Sequence, residues 1–192
     1  NIFDLVSNKT WVFGDTLTPD FDTLKGISEN RTPIFTQDNR FLFFGVADHV
    51  KAEVKDTLLE SEKVRVDIWH YQDQELQAQQ LVQLSQEKKR SDLYVFRFDN
   101  EKIIPLSNDT LSVRVSDQQI GDYLQATSNE AYAIQQQWKA PGLEDVYRIS
   151  LIDGTIEILA KGLAYPGMLS PKGKYFTYFN PTKNQYVLLD IA

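Results

Sequence analysis

The sequence contains no cysteine, only one methionine and only two histidines among its 192 residues. The absence of cysteine excludes disulfides, thiolate metal ligands and a cysteine nucleophile. It does not decide the cellular compartment, because exported proteins can also lack cysteine. His49 and His70 lie far apart, and neither belongs to a metal-ligand spacing such as His-Glu-x-x-His. A zinc site is therefore not predicted.

Long apolar runs and concentrated positive charge are also missing. No run approaches the length of a membrane span, and residues 1–4 lack the basic and apolar regions of a signal peptide. We expect any export signal to have been removed or to lie upstream. The net charge of -7 opposes a polyphosphate partner, and the basic run from Lys88 to Arg90 is short and adjoins Glu87. We expect neither a nucleic-acid partner nor a membrane partner.

Aromatic residues are abundant, with 9 Tyr and 11 Phe, and this composition favours a globular protein rich in sheet. Hairpin turns, each connecting two antiparallel strands, are predicted at Asp99 to Glu101 and at Ile152 to Gly154. Strands are predicted at residues 34–36, 41–46, 64–69, 93–98, 102–106, 123–126, 131–134, 145–151 and 155–159.

A segment rich in Gln and Glu, from Gln72 to Arg90, interrupts the strands. Asp73 could cap a helix in this segment, and Lys88 to Arg90 would suit its C-terminal end. The apolar residues of the segment, Leu76, Leu81, Val82 and Leu84, fit a helical stripe only loosely. A helix and an extended arm both remain open.

A repeat is marked by the stretch from Leu169 to Tyr178. Its Ser170 aligns with Thr127, 43 residues earlier, and also with Thr36. Repeats of about 40 to 50 residues are typical of β-propeller blades. Thr36 and Thr127 are 91 residues apart with four convincing strands between them, which favours one blade with a long excursion at 48–62 and 72–90.

The predicted fold is all-β, a partial β-propeller of about three antiparallel four-stranded blades with one long excursion. It forms a single unit over 1–192, with blade repeats at about 33–107, 111–160 and 165–192. Residues 1–32 would be the end of a preceding blade or a linker. A closed ring needs roughly four to eight blades, so we expect a fragment. Its unpaired strand edges predict self-association through the end blades or covering loops.

No catalytic, cofactor-binding or metal-binding residue is predicted. The sequence Gly26-Ile27-Ser28 lacks the second glycine of a nucleophile elbow. The acidic residues of the first thirty positions are too irregularly spaced for a calcium loop. These residues are Asp15, Asp20, Asp22 and Glu29.

Asp67, His70 and Asp73 form the most suggestive cluster, because a carboxylate beside a histidine can tune its pKa or orient its ring. The alternative is structural: Asp67 holds a loop backbone while the Trp69 indole packs between blades. We favour the structural role, since no nucleophile accompanies the cluster.

Several stretches carry a resemblance to a known family: 41–47, 56–62, 66–73 with Leu76, Gln77 and Gln80, 88–91 and 170–175. With these stretches the chain resembles the N-terminal β-propeller of bacterial prolyl oligopeptidase-like (S9 family) serine peptidases, over about residues 17–190. The Val-Asp-Ile-Trp-His stretch with its flanks is the most specific, whereas many propellers share the blade signature at 170–175.

The resemblance implies an exported enzyme, periplasmic or secreted, in which the propeller precedes an α/β-hydrolase domain with a Ser-Asp-His triad. None of the triad residues lies in this chain. The chain would cap the active site and restrict the access of peptide substrates, with the C-terminal hydrolase domain of the same protein as its partner. The alternative is a stand-alone propeller-like scaffold that binds proteins or peptides. A catalytic activity of the chain itself would depend on Asp67 and His70 alone.

Overall fold

A computed structural model describes residues 2–3, 8–12, 21, 24–49, 66, 70, 73–119 and 121–191. The described strands form antiparallel sheets, named I to IV in chain order, and the fold is all-β with few helices. Sheet I pairs β1 (Ile2–Phe3) with β2 (Thr10–Trp11). Sheet II contains β3 (Lys25–Ile27), β4 (Ile34–Phe35), β5 (Phe41–Asp48), β6 (Asp92–Arg97) and β7 (Ile103–Pro105). Sheet III contains β8 (Ser112–Val113), β9 (Tyr123–Ser128), β10 (Glu144–Ser150) and β11 (Ile156–Leu163). Sheet IV contains β12 (Met168–Leu169), β13 (Tyr175–Asn180) and β14 (Gln185–Asp190).

The strands of sheets II, III and IV follow chain order across each sheet. In sheet II, β3 and β4 lie along the same edge of β5, one after the other. Because β3 pairs with β5, residues 25–27 belong to sheet II, and the expectation that they end a preceding blade or form a linker is wrong. The hairpins predicted around Asp99 to Glu101 and Ile152 to Gly154 are confirmed, with positive φ at Glu101 and Gly154.

The turn between the first and second strands has the same hydrogen bonds in sheets II and IV. The N–H of Thr36 donates to the carbonyl of Phe41 at 3.1 Å, and the N–H of Phe41 donates to Oγ1 of Thr36 at 3.1 Å. The N–H of Ser170 donates to the carbonyl of Tyr175 at 2.7 Å, and the N–H of Tyr175 donates to Oγ of Ser170 at 2.9 Å. The alignment of Thr36 with Ser170 is confirmed.

The alignment of Thr127 with Ser170 is wrong, and with it the 43-residue period. Thr127 lies inside β9, opposite Val146, whereas Ser170 lies in a turn. The matching turn of sheet III begins at Ser116, whose Oγ accepts a hydrogen bond from the N–H of Gln118, and leads to Tyr123 at the start of β9. This turn is two residues longer than the turn from Ser170 to Tyr175. A sequence alignment of the two sheets without a gap therefore pairs residues that are not equivalent.

The strand predicted at residues 131–134 is also wrong. The chain there forms a 3₁₀ turn (Glu130–Tyr132) followed by the short helix α2 (Ala133–Gln136). The segment connects β9 to β10, which pair directly with each other. No place for a strand exists between them.

Alternate residues of the second strands point to opposite neighbouring sheets. Leu42, Leu124 and Phe176 hold the second position of β5, β9 and β13, and all three are buried. Leu42 packs in a cluster that includes residues of sheet I, and Leu124 in one that includes residues of sheet II. The same alternation directs Phe176 at sheet III. In sheets II, III and IV, the side chain at the second position of the second strand therefore faces the preceding sheet.

Sheet II is covered on both faces. One face joins Phe41, Phe43 and Val95 with residues of sheet III, and the other joins Leu42 and Phe44 with residues of sheet I. The burial of each phenylalanine contributes about 1.5–3 kcal/mol. A strand that is buried on both faces reads as an apolar run, which explains the sequence of β5.

Helix α1 (Gln77–Glu87) confirms the helical alternative for residues 72–90. Its N-cap is Leu76 rather than Asp73, and the N–H of Leu76 donates a hydrogen bond to Oε1 of Gln79 at 3.1 Å. The helix ends before Lys88, and none of its residues is buried. Within the described part of the chain, no helix is long and apolar enough to cross a membrane.

The face of sheet IV that points away from sheet III carries exposed apolar side chains. Met168, Tyr186 and Leu188 are 69%, 79% and 68% exposed. They lie on one face with Phe179, because Phe179 pairs with Tyr186 and Thr177 pairs with both Leu188 and Met168. We call these four residues the outward face. The corresponding faces of sheets II and III are covered by the next sheet.

Candidate functional site

The suggestive cluster of Asp67, His70 and Asp73 is only partly described. Asp67 and Trp69 lie outside the described residues, as do Asp15, Asp20 and Asp22. The Asp73 carboxylate accepts a hydrogen bond from the backbone N–H of His70 at 3.1 Å. Asp73 therefore holds a loop backbone, which is the structural role expected for Asp67. His70 itself is exposed.

His49 packs on β3, and its ring lies against Gly26. A Cβ atom at position 26 would come within 2.9 Å of Cε1 of His49, so a larger residue there would require the exposed His49 side chain to move. Among the described residues, no three His, Cys, Asp or Glu side chains come together as metal ligands. Glu29 is exposed in the loop after β3.

Ser28 has a structural position. Its N–H donates to the carbonyl of Gly45 at 2.8 Å, its Oγ accepts from the N–H of Asn30 at 3.2 Å, and only 8% of it is exposed. A nucleophilic serine needs an exposed Oγ beside a base. The described surroundings of Ser28 do not supply one.

Asp145 is a buried residue whose Oδ1 atom accepts two hydrogen bonds. It accepts from the hydroxyl of Tyr132 at 2.7 Å and from the N–H of Gly162 at 2.9 Å. The hydrogen bond to Asp145 and burial both raise the pKa of Tyr132. These contacts fix the 3₁₀ turn to sheet III. They also occupy both acceptor positions of Asp145 Oδ1.

The structure adds a feature that the sequence does not reveal, a cleft of about 990 Å³ that we call the inner cleft. It is bordered by the first strands of three sheets or by the residues next to them. Asn30 and Arg31 lie between β3 and β4, Leu111 to Arg114 include β8, and Pro166 and Gly167 precede β12. A volume of this size is in the range of ligand-binding sites.

Cationic side chains predominate in the inner cleft. Arg31, Lys89, Arg90 and Arg114 line it, against the acidic residues Asp109 and Glu144. Arg90 is engaged, because it pairs with Glu87 at 3.2 Å and also donates to the backbone carbonyl of Asp109. Within the described residues, the side chains of Arg31, Lys89 and Arg114 form no ion pair or hydrogen bond.

Sequence reasoning missed this cleft because its cations come from separate loops. Arg31 and Arg114 are 83 residues apart, so no spacing connects them. The run from Lys88 to Arg90 was the only visible signal, and its length made it look like a solvated segment. Its place beside the start of β6 brings two of its residues, Lys89 and Arg90, to the cleft.

A second cleft of about 670 Å³ adjoins the inner cleft and shares Asn30, Arg90 and Asp109 with it. Its principal charged pair is closed, since Nζ of Lys25 lies 2.6 Å from the Asp92 carboxylate. That hydrogen bond raises the pKa of Lys25. Lys25 therefore has a partner already, and this cleft offers less free positive charge than the inner cleft.

Comparisons with known proteins establish no family. No protein-family model matches the chain, and no curated protein matches it. Among solved structures, the chain is similar to the crystal structure of TolB from Acinetobacter baumannii, with 15% sequence identity and a TM-score of 0.33. The match covers 84% of this chain and 30% of that one. A similarity at this score is too low to establish a common fold.

The inner cleft is suited to recognition. Its described lining contains no cysteine or histidine, and its serine and threonine hydroxyls have no histidine base beside them. Unpaired guanidinium groups, amides and hydroxyls can bind a ligand by charge and hydrogen bonds.

Proposed function

We propose that the chain is a non-catalytic segment of a β-propeller, with sheets II, III and IV as successive blades. One observation carries this proposal: β8, the first strand of sheet III, lines the same cleft as the residues close in sequence to the first strands of sheets II and IV. In a propeller, blades of four antiparallel strands are arranged around a central channel. The inner cleft would be part of that channel.

The packing of the faces supports the same arrangement. Gly173 of sheet IV lies against Tyr123 of sheet III, where a Cβ atom would come within 2.4 Å of the ring. Its φ of 70° is in the left-handed region that favours glycine. The outward face of sheet IV corresponds to faces that are covered in sheets II and III. A further blade would cover it in the same way.

We further propose that this propeller belongs to an exported serine peptidase of the S9 type. The support is the resemblance at residues 41–47, 56–62 and 66–73, of which only the first is fully described by the structure. The hydrolase domain would lie in the same polypeptide, C-terminal to this chain. The propeller would restrict the access of peptides to the active site, and this chain would perform no step of the reaction.

The natural coding sequence and its product test this proposal. We expect the reading frame to continue past Ala192 into a Gly-x-Ser-x-Gly motif, and the purified translation product to be labelled by a fluorophosphonate probe. A Ser→Ala change at the motif serine should abolish the labelling. A natural stop codon directly after Ala192 would contradict the peptidase and favour the stand-alone binding scaffold.

A further inference from the structure

We propose that the inner cleft binds an acidic peptide, whose carboxylate groups are held by Arg31 and Arg114. This inference deepens the proposed function, because it rests on the assignment of the cleft to the propeller channel and names the class of peptide that the channel admits. It begins from the charge of the cleft, which is opposite to the charge of the whole chain.

The inner cleft differs in charge from the chain as a whole. The chain has a net charge of -7, so the chain as a whole repels an acidic ligand. The inner cleft instead has four cationic residues and two acidic ones among its described lining residues. A concave site with walls of low dielectric constant concentrates such a field and attracts ligands of the opposite charge.

Two guanidinium groups of the inner cleft are available to a ligand. A guanidinium group presents a planar set of donors that matches a carboxylate in two parallel hydrogen bonds. Arg31 and Arg114 have no partner among the described residues, and they come from the first-strand regions of sheets II and III. They can therefore hold carboxylates without breaking an internal ion pair.

The uncharged lining of the cleft favours a peptide over a small anion. Thr127 from β9, together with Asn108 and Asn129, supplies hydroxyl and amide groups beside the cations. Such groups can bind the N–H and C=O groups of a peptide backbone. The Gln125 amide also lines the cleft, but it is already held by the Pro166 carbonyl and the Leu169 N–H. A volume of about 990 Å³ also exceeds what a single inorganic anion needs.

Glu144 provides a test in which the affinity should change in the opposite direction. It also lines the cleft and has no ion pair with a described residue. Its carboxylate would repel an acidic ligand, whereas it would attract a basic one. Removal of its charge should therefore strengthen the binding of an acidic peptide, which is the opposite of what removal of Arg31 and Arg114 should do.

The test is calorimetric titration of the 192-residue chain with N-acetyl-Ala-Glu-Glu-Ala amide and with its neutral analogue N-acetyl-Ala-Gln-Gln-Ala amide. We expect the acidic peptide to bind at least about tenfold more tightly, with an affinity that falls as the salt concentration rises. The variant Arg31→Gln/Arg114→Gln should lose about tenfold or more of this affinity. Glu144→Gln should gain about twofold to fivefold.

Two control variants separate the site from general charge and from folding. Lys183→Gln removes an exposed cation in the turn between β13 and β14, and it should leave the affinity unchanged within about twofold. Arg31→Lys/Arg114→Lys keeps both charges, and it should retain more affinity than the double glutamine variant. Far-ultraviolet circular dichroism checks that each variant keeps its sheets.

Four results would overturn the inference. These are equal affinity for the two peptides, undiminished binding by the double glutamine variant, an equal loss in Lys183→Gln, or inorganic phosphate that binds as tightly as the acidic peptide. The last result would identify a general anion site. The test reads binding by the chain itself, so its failure is distinguishable from failure of the peptidase proposal, which is read from the coding sequence.

Discussion

Thr36 and Phe41 exchange two hydrogen bonds across the turn that leads from β4 to β5. The N–H of Thr36 donates to the carbonyl of Phe41, and the N–H of Phe41 donates to Oγ1 of Thr36, both at 3.1 Å. Thr36 is 1% exposed, so neither group has water as a substitute. The same exchange between Ser170 and Tyr175 shows that a hydroxyl side chain in this turn marks where the second strand of a sheet begins.

Thr36→Val should destabilise the chain by about 1–3 kcal/mol, because it leaves the N–H of Phe41 buried without an acceptor. Thr36→Ser keeps the hydroxyl and should cost less. Urea unfolding followed by tryptophan fluorescence measures both. Equal stability of the valine variant and the wild type would show that the turn does not need this hydrogen bond.

Asp38 gives the turn a pH dependence. The hydrogen bond from the Arg40 side chain, followed by the one from the Thr36 hydroxyl, lowers the pKa of Asp38 to about 2. A folded-state pKa below the unfolded value of roughly 3.9 means that the stabilisation is present above about pH 4 and is lost as the pH falls through about 2.

We therefore expect the stability advantage of the wild type over Asp38→Asn to be constant above pH 5 and to shrink between about pH 4 and 2. Urea unfolding at a series of pH values measures it. Asp153→Asn is a useful comparison, since the pKa of Asp153 is also lowered but its contacts lie in another turn. An advantage over Asp38→Asn that persists undiminished at pH 2 would contradict the assignment.

Much of the fold was predictable because local chemistry marks it. The apolar run of β5 and the hairpins at Glu101 and Gly154 formed as their sequences indicate. The prediction failed where equivalent positions of two sheets can be recognised only in the three-dimensional structure. The turn before Tyr123 is two residues longer than its counterpart before Tyr175, and a short helix occupies residues 133–136.

The site was less predictable than the fold. Its defining residues, Arg31 and Arg114, belong to different sheets and have no sequence pattern in common. The sequence drew attention to histidines and carboxylates instead, and the described ones have structural contacts: the Asp73 carboxylate with a backbone N–H, and the His49 ring with Gly26. Charge that gathers only after folding cannot be found from residue spacing.

Arg148 should be important for the attachment of sheet IV to sheet III. Its guanidinium donates to the carbonyl of Gly173 at 3.0 Å, lies 4.5 Å from the centre of the Tyr123 ring and pairs with Glu157. Arg148→Met should cost about 1–3 kcal/mol and should speed hydrogen exchange in β13. Lys161→Met, at an exposed position of β11, should stay within about 0.5 kcal/mol of the wild type. Unchanged exchange in β13 of the Arg148 variant would contradict this role.

The outward face of sheet IV predicts self-association of the 192-residue chain. Tyr186 and Leu188 are exposed and belong to β14, a strand with only one neighbouring strand among those described. Sedimentation velocity should detect dimers at high concentration, and Leu188→Asp should abolish them. Val82→Asp, at an exposed position of α1, should not. Monomers at every concentration would argue against an adhesive outward face.

Hydrogen exchange in β14 tests the propeller most directly, when the 192-residue chain is compared with the full translation product of its gene. A following blade would cover Tyr186 and Leu188, and a fourth strand would pair with the free edge of β14. We predict that the amides of residues 185–190 exchange at least about tenfold more slowly in the full product. Equal exchange rates in the two proteins would contradict the assignment of sheets II, III and IV to a propeller.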